Sequence, residues 1–358
     1  PMKKNSKLLL VTGGCGFIGS NFIQKVLQSN EYDVVNLDFL TYAGNINNLS
    51  SFHNNNSYEF IHGDIGDKFL VKSLLNKYQP DAIINFAAES HVDRSINSPK
   101  IFIDTNIVGT FNLLDMTREY WINLNESKKK LFLFLHVSTD EVYGSLATND
   151  LPSKEDSKYC PNSPYAASKA SSDHFVRAFN VTYGLPTIIT NCSNNYGPYQ
   201  FPEKLIPLII NNALNGNPLP IYGDGLQIRD WIYVEDHVDA ISIALNKGKQ
   251  GQTYNIGGSN EIKNIDVVQM VCNALDSHKP LANNKSYFDQ VKFIKDRPGH
   301  DQRYAIDSSK INKEFEWKAM VTIESGIDKT VKWYLDNRKW LDEVVSGEYM
   351  NWVKSQYN

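Results

Sequence analysis

Tyr165-Ala-Ala-Ser-Lys169 pairs a phenol with an ammonium four residues apart, a spacing that puts both side chains on one face of a helix. A nearby ammonium favours the phenolate, so Tyr165 gains the character of a base toward a hydroxyl. Such a pair occurs by chance in many helices, and its weight here comes from order along the chain. It follows a nearly continuous apolar run, residues 131–137, that ends in Ser138-Thr139-Asp140-Glu141-Val142-Tyr143-Gly144. Farther upstream stands a glycine-rich turn.

That turn, Val11-Thr-Gly-Gly-Cys-Gly-Phe-Ile-Gly19, places Gly13, Gly16 and Gly19 three residues apart, between a predicted strand 8–11 and a predicted helix 20–28. Glycines there allow a tight turn and let backbone approach a pyrophosphate at the positive end of the helix. Alone, the motif is also ordinary turn chemistry. Asp38 closes the next predicted strand at the distance expected of a carboxylate that accepts from an adenosine ribose diol. A carboxylate there would repel a 2′-phosphate, so NAD is expected rather than NADP. Asp64-Ile65, after the third strand, and Phe86-Ala87-Ala88, after the fourth, are placed for the adenine and the nicotinamide ribose. Taken singly, Asp64 is equally a helix N-cap. A positive nicotinamide would lower the Tyr165 phenol further.

The elements that must position these groups follow from periodicity. Apolar runs at 8–11, 33–38, 58–61, 82–86, 131–137 and 187–190 alternate with amphipathic stretches at 20–28, 68–78, 101–120 and 165–183. Continuous runs indicate strands covered on both faces, and the alternation indicates an α/β fold with a Rossmann-type, doubly wound parallel sheet. After residue 191, turns such as Gly197-Pro198, Gly216-Asn217-Pro218, Gly223-Asp224-Gly225 and Pro298-Gly299 break the pattern. The expected division is a dinucleotide-binding domain over 1–191, which residues 226–256 rejoin, and a smaller, interleaved substrate domain over 192–358. The stretch from Asp230 to Asn246 is expected to return to the first sheet. The aromatic tail (Trp333, Tyr334, Trp340, Trp352) reads as packing at a helix end.

These residues carry a resemblance. The chain resembles the extended short-chain dehydrogenases/reductases, and within them the nucleotide-sugar 4,6-dehydratases of the dTDP-glucose type. The matching segments include Leu40-Thr-Tyr-Ala-Gly-Asn45, Ala87-Ala-Glu-Ser-His-Val-Asp-Arg-Ser95, Ser138-Thr-Asp-Glu-Val-Tyr-Gly144, Pro161-Asn-Ser-Pro-Tyr165, Cys192-Ser-Asn-Asn-Tyr-Gly-Pro198, Arg229-Asp-Trp231 and Asp296-Arg-Pro-Gly-His300. They span four fifths of the chain, from the glycine turn to about Asp307.

The resemblance implies NAD as cofactor and dTDP-glucose as substrate. It assigns Tyr165 as base toward the C4 hydroxyl with Lys169 beside it, and Thr139 as a hydrogen-bond partner of the C4 oxygen. Glu141 is then the base at C5, and Asp140 the acid that protonates the departing C6 hydroxyl. A simple epimerase needs only the Tyr/Lys pair and a hydroxyl, whereas eliminating water needs an adjacent acid and base. The plainer reading of Asp140-Glu141 is a solvated strand end. For the cofactor the resemblance adds Phe17, Ile18, Phe39, Leu40, Thr41, Glu89, Thr105 and Asn195. Guanidinium forks suit phosphate, so Arg229 and Arg297 are candidates for the substrate pyrophosphate, although each alone also reads as a surface or salt-bridge residue. Ser90, Asn194, Lys204, Leu205, Pro220, Ile221, Tyr222, Asn264 and His300 match positions around the nucleotide sugar.

Two departures stand out. Phe39 occupies a place where the family usually has Lys, which removes a cation and loosens the adenosine contacts. Asn191 replaces a commoner Arg. The family forms homodimers through a four-helix bundle, and the counterparts here are 106–120 and 166–183. The same helices read equally well as buried within the domain. The alternative functions are a 4,6-dehydratase, 4-epimerase or decarboxylase acting on a UDP-sugar, and a catalytically inactive NAD-binding homologue.

Composition bounds these readings. The 358 residues are 41% hydrophobic and 21% charged, which excludes disordered, collagen-like and coiled-coil chains. A net charge of −4 argues against nucleic acid as a partner, so an anionic ligand must be gripped locally. Four scattered cysteines and eight histidines show no metal-ligand spacing, so no metal is expected. The basic start is followed by an apolar run too short for a signal peptide, and no window is long enough to span a membrane. A soluble, cytoplasmic protein is the expectation.

Overall fold

The computed structural model describes residues 6–347. Six strands alternate with helices in the first half: β1 (Lys7–Thr12), β2 (Tyr32–Asp38), β3 (Tyr58–His62), β4 (Ala82–Asn85), β5 (Leu133–Thr139) and β6 (Thr187–Cys192). Six more follow: β7 (Asn194–Tyr196), β8 (Leu219–Tyr222), β9 (Ile228–Tyr233), β10 (Thr253–Ile256), β11 (Glu261–Lys263) and β12 (Val291–Ile294). Seven strands make one sheet in the order β10-β6-β5-β4-β1-β2-β3. All of its pairs are parallel. The chain winds outward from β1 in both directions, so a crevice opens at the carboxyl ends of β1 and β4, the switch point where such sheets bind ligands.

Both faces of this sheet are covered, which is why its strands carry apolar residues on both sides. Leu9, Val11 and Val34 meet Phe22, Ile23 and Val26 of helix Phe17–Gln28 and Val238 and Ile241 of helix Val234–Lys247. Leu10, Val35, Ile83 and Phe134 point the other way, onto Val71, Leu75, Leu113 and Val176. The alternation of Leu9, Leu10 and Val11 between two cores is the strand period of two.

A separate core lies around the small sheets, β11-β9-β7 and the parallel pair β12-β8. Tyr196, Ile209, Val268 and Leu275 build it, and Trp333, Tyr334 and Trp340 pack there as an aromatic cluster with Tyr199. Trp352 lies outside the described residues. Among the described residues no helix is long and apolar enough to cross a membrane, and no cluster of His, Cys, Asp and Glu could hold a metal.

Several element boundaries differ from those expected. The first helix begins at Phe17 rather than residue 20, directly on the glycine turn, with Gly16 as its N-cap. The strand expected at 131–137 runs from Leu133 to Thr139, because Glu126–Leu131 is a short helix capped by the Asn125 side chain. The single helix expected over 101–120 is three pieces: α-helical Pro99–Phe102, π-helical Ile103–Gly109 and α-helical Thr110–Ile122. Within the π turn, buried Asn106 accepts from the Glu89 amide and donates to the Glu89 carbonyl and to Ser168 Oγ. It thereby pins the segment after β4 to the helix that carries Tyr165. Asp230 belongs to β9 in the three-stranded sheet. The return to the large sheet begins with helix Val234–Lys247 and ends at β10.

Candidate active site

β1 turns into its helix through Gly13, which adopts φ +68 and sits so close to the next crossover that a Cβ would lie 2.6 Å from the Ala87 nitrogen. A Cβ on Gly19 would strike the Gly13 carbonyl oxygen. The turn is thus packed to the limit on its inner side. β2 ends at Asp38, whose Oδ2 accepts from the Cys15 amide and Oδ1 from the Leu40 amide, both at 2.8 Å. Burial raises its pKa, and the two amides with His62 oppose that shift. Each oxygen keeps a further lone pair, as a ribose diol requires.

The crevice is a cavity of about 950 Å³ that runs from this turn into the second half of the chain. Gly13, Gly16, Phe17, Ile18, Gly19, Asp38, Phe39 and Thr41 line one end, with Asp64, Ile65, Ala87, Ala88, Glu89 and Thr105 beside them. Leu40 does not line it. Its side chain is buried in the first core at φ +54, and only its amide serves the site, through Asp38. Phe39, 56% exposed, stacks on His62 at 6.1 Å with rings 5° apart. An aromatic surface, and not merely a missing cation, therefore flanks this end of the cavity.

Helix Pro164–Tyr183 starts sharply because the Ser163 side chain caps the Ala166 amide and Pro164 occupies its first position. Tyr165 and Lys169 consequently face β5. The Lys169 ammonium donates to the Val137 carbonyl at 2.9 Å, and burial lowers its pKa while Asp173 opposes the shift. Tyr165 runs against expectation. Its pKa is pushed well up, first by burial, then by the Glu141 carboxylate and Cys192, and a hydrogen bond to Thr139 only partly offsets them. Desolvation of a buried phenol beside a carboxylate outweighs an ammonium that is engaged elsewhere.

Thr139 closes β5 and caps a single 3-10 turn, Asp140–Tyr143, by accepting from the Glu141 amide at 3.2 Å. The turn separates the two carboxylates. Glu141 lines the cavity with Tyr165, Thr139 and Lys169, whereas Asp140 is sealed behind the wall at 2% exposure. Burial raises the pKa of Glu141, and Lys204, Arg229 and Arg297 pull it back. Asp140 is driven well above the usual carboxylate range by burial, then by Glu141 and Asp230, and its Oδ2 has no hydrogen-bond partner. Both carboxyls are pushed up, Asp140 the further, so the pair differs in proton affinity.

At the far end the cavity is lined by Ser90, Asn194, Asn195, Lys204, Leu205, Pro220, Ile221, Tyr222, Arg229, Asn264, Arg297 and His300. Lys204 Nζ donates to the Ser90 carbonyl at 2.6 Å. Arg229 is buried, donates to the carbonyls of Ile228 and Asp301, and lies over the Tyr304 ring. Among the described residues it makes no ion pair with a carboxylate, which suits a guanidinium that waits for an anionic ligand.

The profile of the family described as GDP-mannose 4,6 dehydratase matches residues 10–330. The dTDP-glucose 4,6-dehydratase of Salmonella typhimurium (strain LT2) is 56% identical over 357 residues, covering 98% of each chain. The chain belongs to the dTDP-glucose 4,6-dehydratase family. Solved members of the dTDP-glucose 4,6-dehydratase family share its fold. The Bacillus anthracis enzyme, in complex with NAD, superposes with a TM-score of 0.83 at 44% identity, covering 95% of this chain and 100% of its own. The Streptomyces venezuelae enzyme, with NAD and TYD bound, gives 0.86 at 42%, covering 94% and 99%.

Several cavity residues of this family member were not singled out from the sequence. His91 and Asp93 line the wall, as do Gln200, Phe201, Glu203 and Trp231. His91 and Asp93 stand inside the Ala87–Ser95 segment and Glu203 precedes Lys204, so adjacency to a motif was the available signal. Nothing local to Gln200 marks it.

Proposed function

We propose that the chain converts dTDP-glucose to dTDP-4-keto-6-deoxy-glucose, eliminating water with NAD held throughout the cycle. The observation that carries this reading is the divergence of Asp140 and Glu141 beside Tyr165, an acid and a base next to a hydroxyl-handling phenol. An epimerase has no use for such a pair.

The crowded turn at Gly13 and Gly19 and the doubly bonded Asp38 carboxylate fit a dinucleotide, with Asp64, Ile65, Ala87 and Ala88 along its length. NAD bound there supplies the acceptor for hydride from C4, the donor that returns it to C6, and a positive ring charge beside Tyr165. Tyr165 removes the C4 hydroxyl proton, and Thr139, within hydrogen-bonding reach of that phenol, holds the C4 oxygen. The ketone so formed acidifies the C5 hydrogen, which Glu141 removes. Asp140 gives its proton to the C6 hydroxyl, which leaves as water as the C5–C6 double bond forms. Glu141 then returns its proton to C5. The sum is redox-neutral: C4 is oxidised, C6 is reduced and one water departs, and the proton taken by Tyr165 replaces, through solvent, the one Asp140 gave up. This assignment requires the 139–141 turn to bring Asp140 to the cavity face when the sugar binds. Arg229, Arg297 and Lys204 hold the diphosphate.

We also infer a homodimer through a four-helix bundle. Helix Thr110–Ile122, the π turn before it and helix Pro164–Tyr183 carry exposed Val108, Phe111, Phe175 and Val181, with the Phe111 and Phe175 rings 6.1 Å apart. The separate core around the small sheets supports a division into a dinucleotide-binding part and a smaller interleaved substrate part. Four free cysteines fit a reducing cytoplasm.

The test is to incubate the purified protein separately with dTDP-glucose and UDP-glucose, and follow the alkaline chromophore of a 4-keto sugar. Colour from dTDP-glucose is expected. Turnover of UDP-glucose alone, or simple epimerisation, overturns the reading.

A further inference from the structure

Arg297, taken above as a phosphate ligand, is already held by a carboxylate from the other half of the chain. Its Nε donates to Asp93 Oδ1 at 2.6 Å, a contact between residues 204 positions apart. The second oxygen of Asp93 is also engaged, accepting from the Tyr222 hydroxyl at 2.8 Å. The guanidinium in turn lies over the Tyr222 ring, 5.1 Å from its centroid. Asp93, Tyr222 and Arg297 therefore close a triangle in which each member touches the other two, and all three line the cavity. His91, the N-cap of the helix that carries Asp93, approaches it with Nε2 3.7 Å from Oδ2.

Asp93 belongs to helix Val92–Asn97, which follows β4 of the large sheet, whereas Tyr222 ends β8 and Arg297 follows β12. The segment 90–94 is tied across the cleft at two further points. Lys204 Nζ donates to the Ser90 carbonyl. Tyr42 donates to Glu203 Oε1 at 2.7 Å, with Arg94 stacked on the Tyr42 ring and paired to Glu203 Oε2.

We propose that Asp93 is a positioning residue for diphosphate recognition: it acts through Arg297, fixing the guanidinium at the cavity wall before the sugar nucleotide arrives. This rests on the substrate reading above. Arg has a long, rotamer-rich side chain, and a ligand that must freeze it loses affinity. A carboxylate on Nε removes that cost while leaving the rest of the planar fork to face a phosphate. It also balances a cation that would otherwise sit unpaired beside Lys204 and Arg229. The opposing effect is direct repulsion between Asp93 and the diphosphate. The two engaged oxygens decide between them, because a carboxylate that accepts from both Arg297 and Tyr222 has its charge turned away from the ligand.

The experiment is a calorimetric titration of the NAD-loaded protein with dTDP, using wild type, Asp93→Ala, Asp93→Asn, Arg297→Ala and the double Ala variant. Positioning predicts a Kd raised about ten- to hundredfold in Asp93→Ala. Asp93→Asn, which can still accept from Nε, keeps most of the affinity. Asp93→Ala adds nothing in the Arg297→Ala background. In turnover, KM for dTDP-glucose rises while kcat stays within about threefold. Tighter dTDP binding by Asp93→Ala overturns the proposal in favour of repulsion. Unchanged binding with a lowered Tm overturns it in favour of a purely structural tie. If wild type itself binds no dTDP, the substrate reading falls first.

Discussion

Glu141 forms part of the cavity wall, while Asp140, its neighbour in sequence, is sealed behind that wall with an unpartnered Oδ2. A single 3-10 turn capped by Thr139 accomplishes this. Two identical functional groups thereby acquire different proton affinities, set by burial and by the charges each one faces.

Removing either group should block elimination without preventing all of the first oxidation. Glu141→Gln is expected to lower 4-keto-6-deoxy sugar formation by about 10²–10⁴, and Asp140→Asn by a comparable factor. Single-turnover near-ultraviolet absorbance should still show reduced nicotinamide forming in both. Unchanged dehydration in the two variants contradicts the assigned roles.

The pH profile should be bell-shaped. Activity needs Glu141 ionised, and its raised pKa moves the acid limb above the range of an ordinary glutamate. Activity also needs Asp140 protonated, so the rate falls as pH rises through its strongly raised value. The two titrate as a coupled pair. Asp140→Asn should abolish the alkaline limb in whatever activity remains, measured as kcat/KM against pH.

The same burial has a stability consequence. Asp140 binds a proton more tightly folded than unfolded, so its contribution falls as pH rises from the unfolded carboxylate pKa through the folded one. Asp140→Asn removes that liability. Its Tm is expected to exceed wild type by about 2–5 °C near pH 7.5 and to match it near pH 4, read by scanning calorimetry.

Gly13→Ala should cost both cofactor and fold. Its φ of +68 and the nearby Ala87 nitrogen leave a methyl group nowhere to go, a strain of roughly 1–3 kcal/mol. The purified variant is expected to carry less than a tenth of the wild-type NAD, measured after acid release. Full NAD content contradicts the placement of the dinucleotide.

Val108→Asp with Val181→Asp should separate the protomers, since both positions stand about half or more exposed on the apolar helix faces. Light scattering is expected to report half the wild-type mass. A monomeric wild type contradicts the bundle.

Much of the site could be read before any coordinates. Gly13, Gly16, Gly19 and Asp38 announce a tight turn at the cavity because each performs a local task, and the strands announce themselves because both sheet faces are buried. What could not be read depends on distance or on environment. The rise in the Tyr165 pKa follows from burial and from Glu141, neither visible in Tyr-x-x-x-Lys. The π turn at Ile103–Gly109 alters hydrogen-bond spacing without a marker residue. Asp93 meets Arg297 across 204 positions, and no local pattern joins them.

The strand order carries a consequence for biosynthesis. β6 is complete at Cys192, yet its outer neighbour β10 begins only at Thr253. The roughly sixty residues between them form β7, β8, β9 and their helices. At ribosomal rates of about 5–20 residues per second, the nascent chain holds an unpaired, apolar strand edge for about 3–12 seconds. The large sheet is therefore finished after the smaller sheets have begun, and during that interval the growing polypeptide carries an open edge that can mispair.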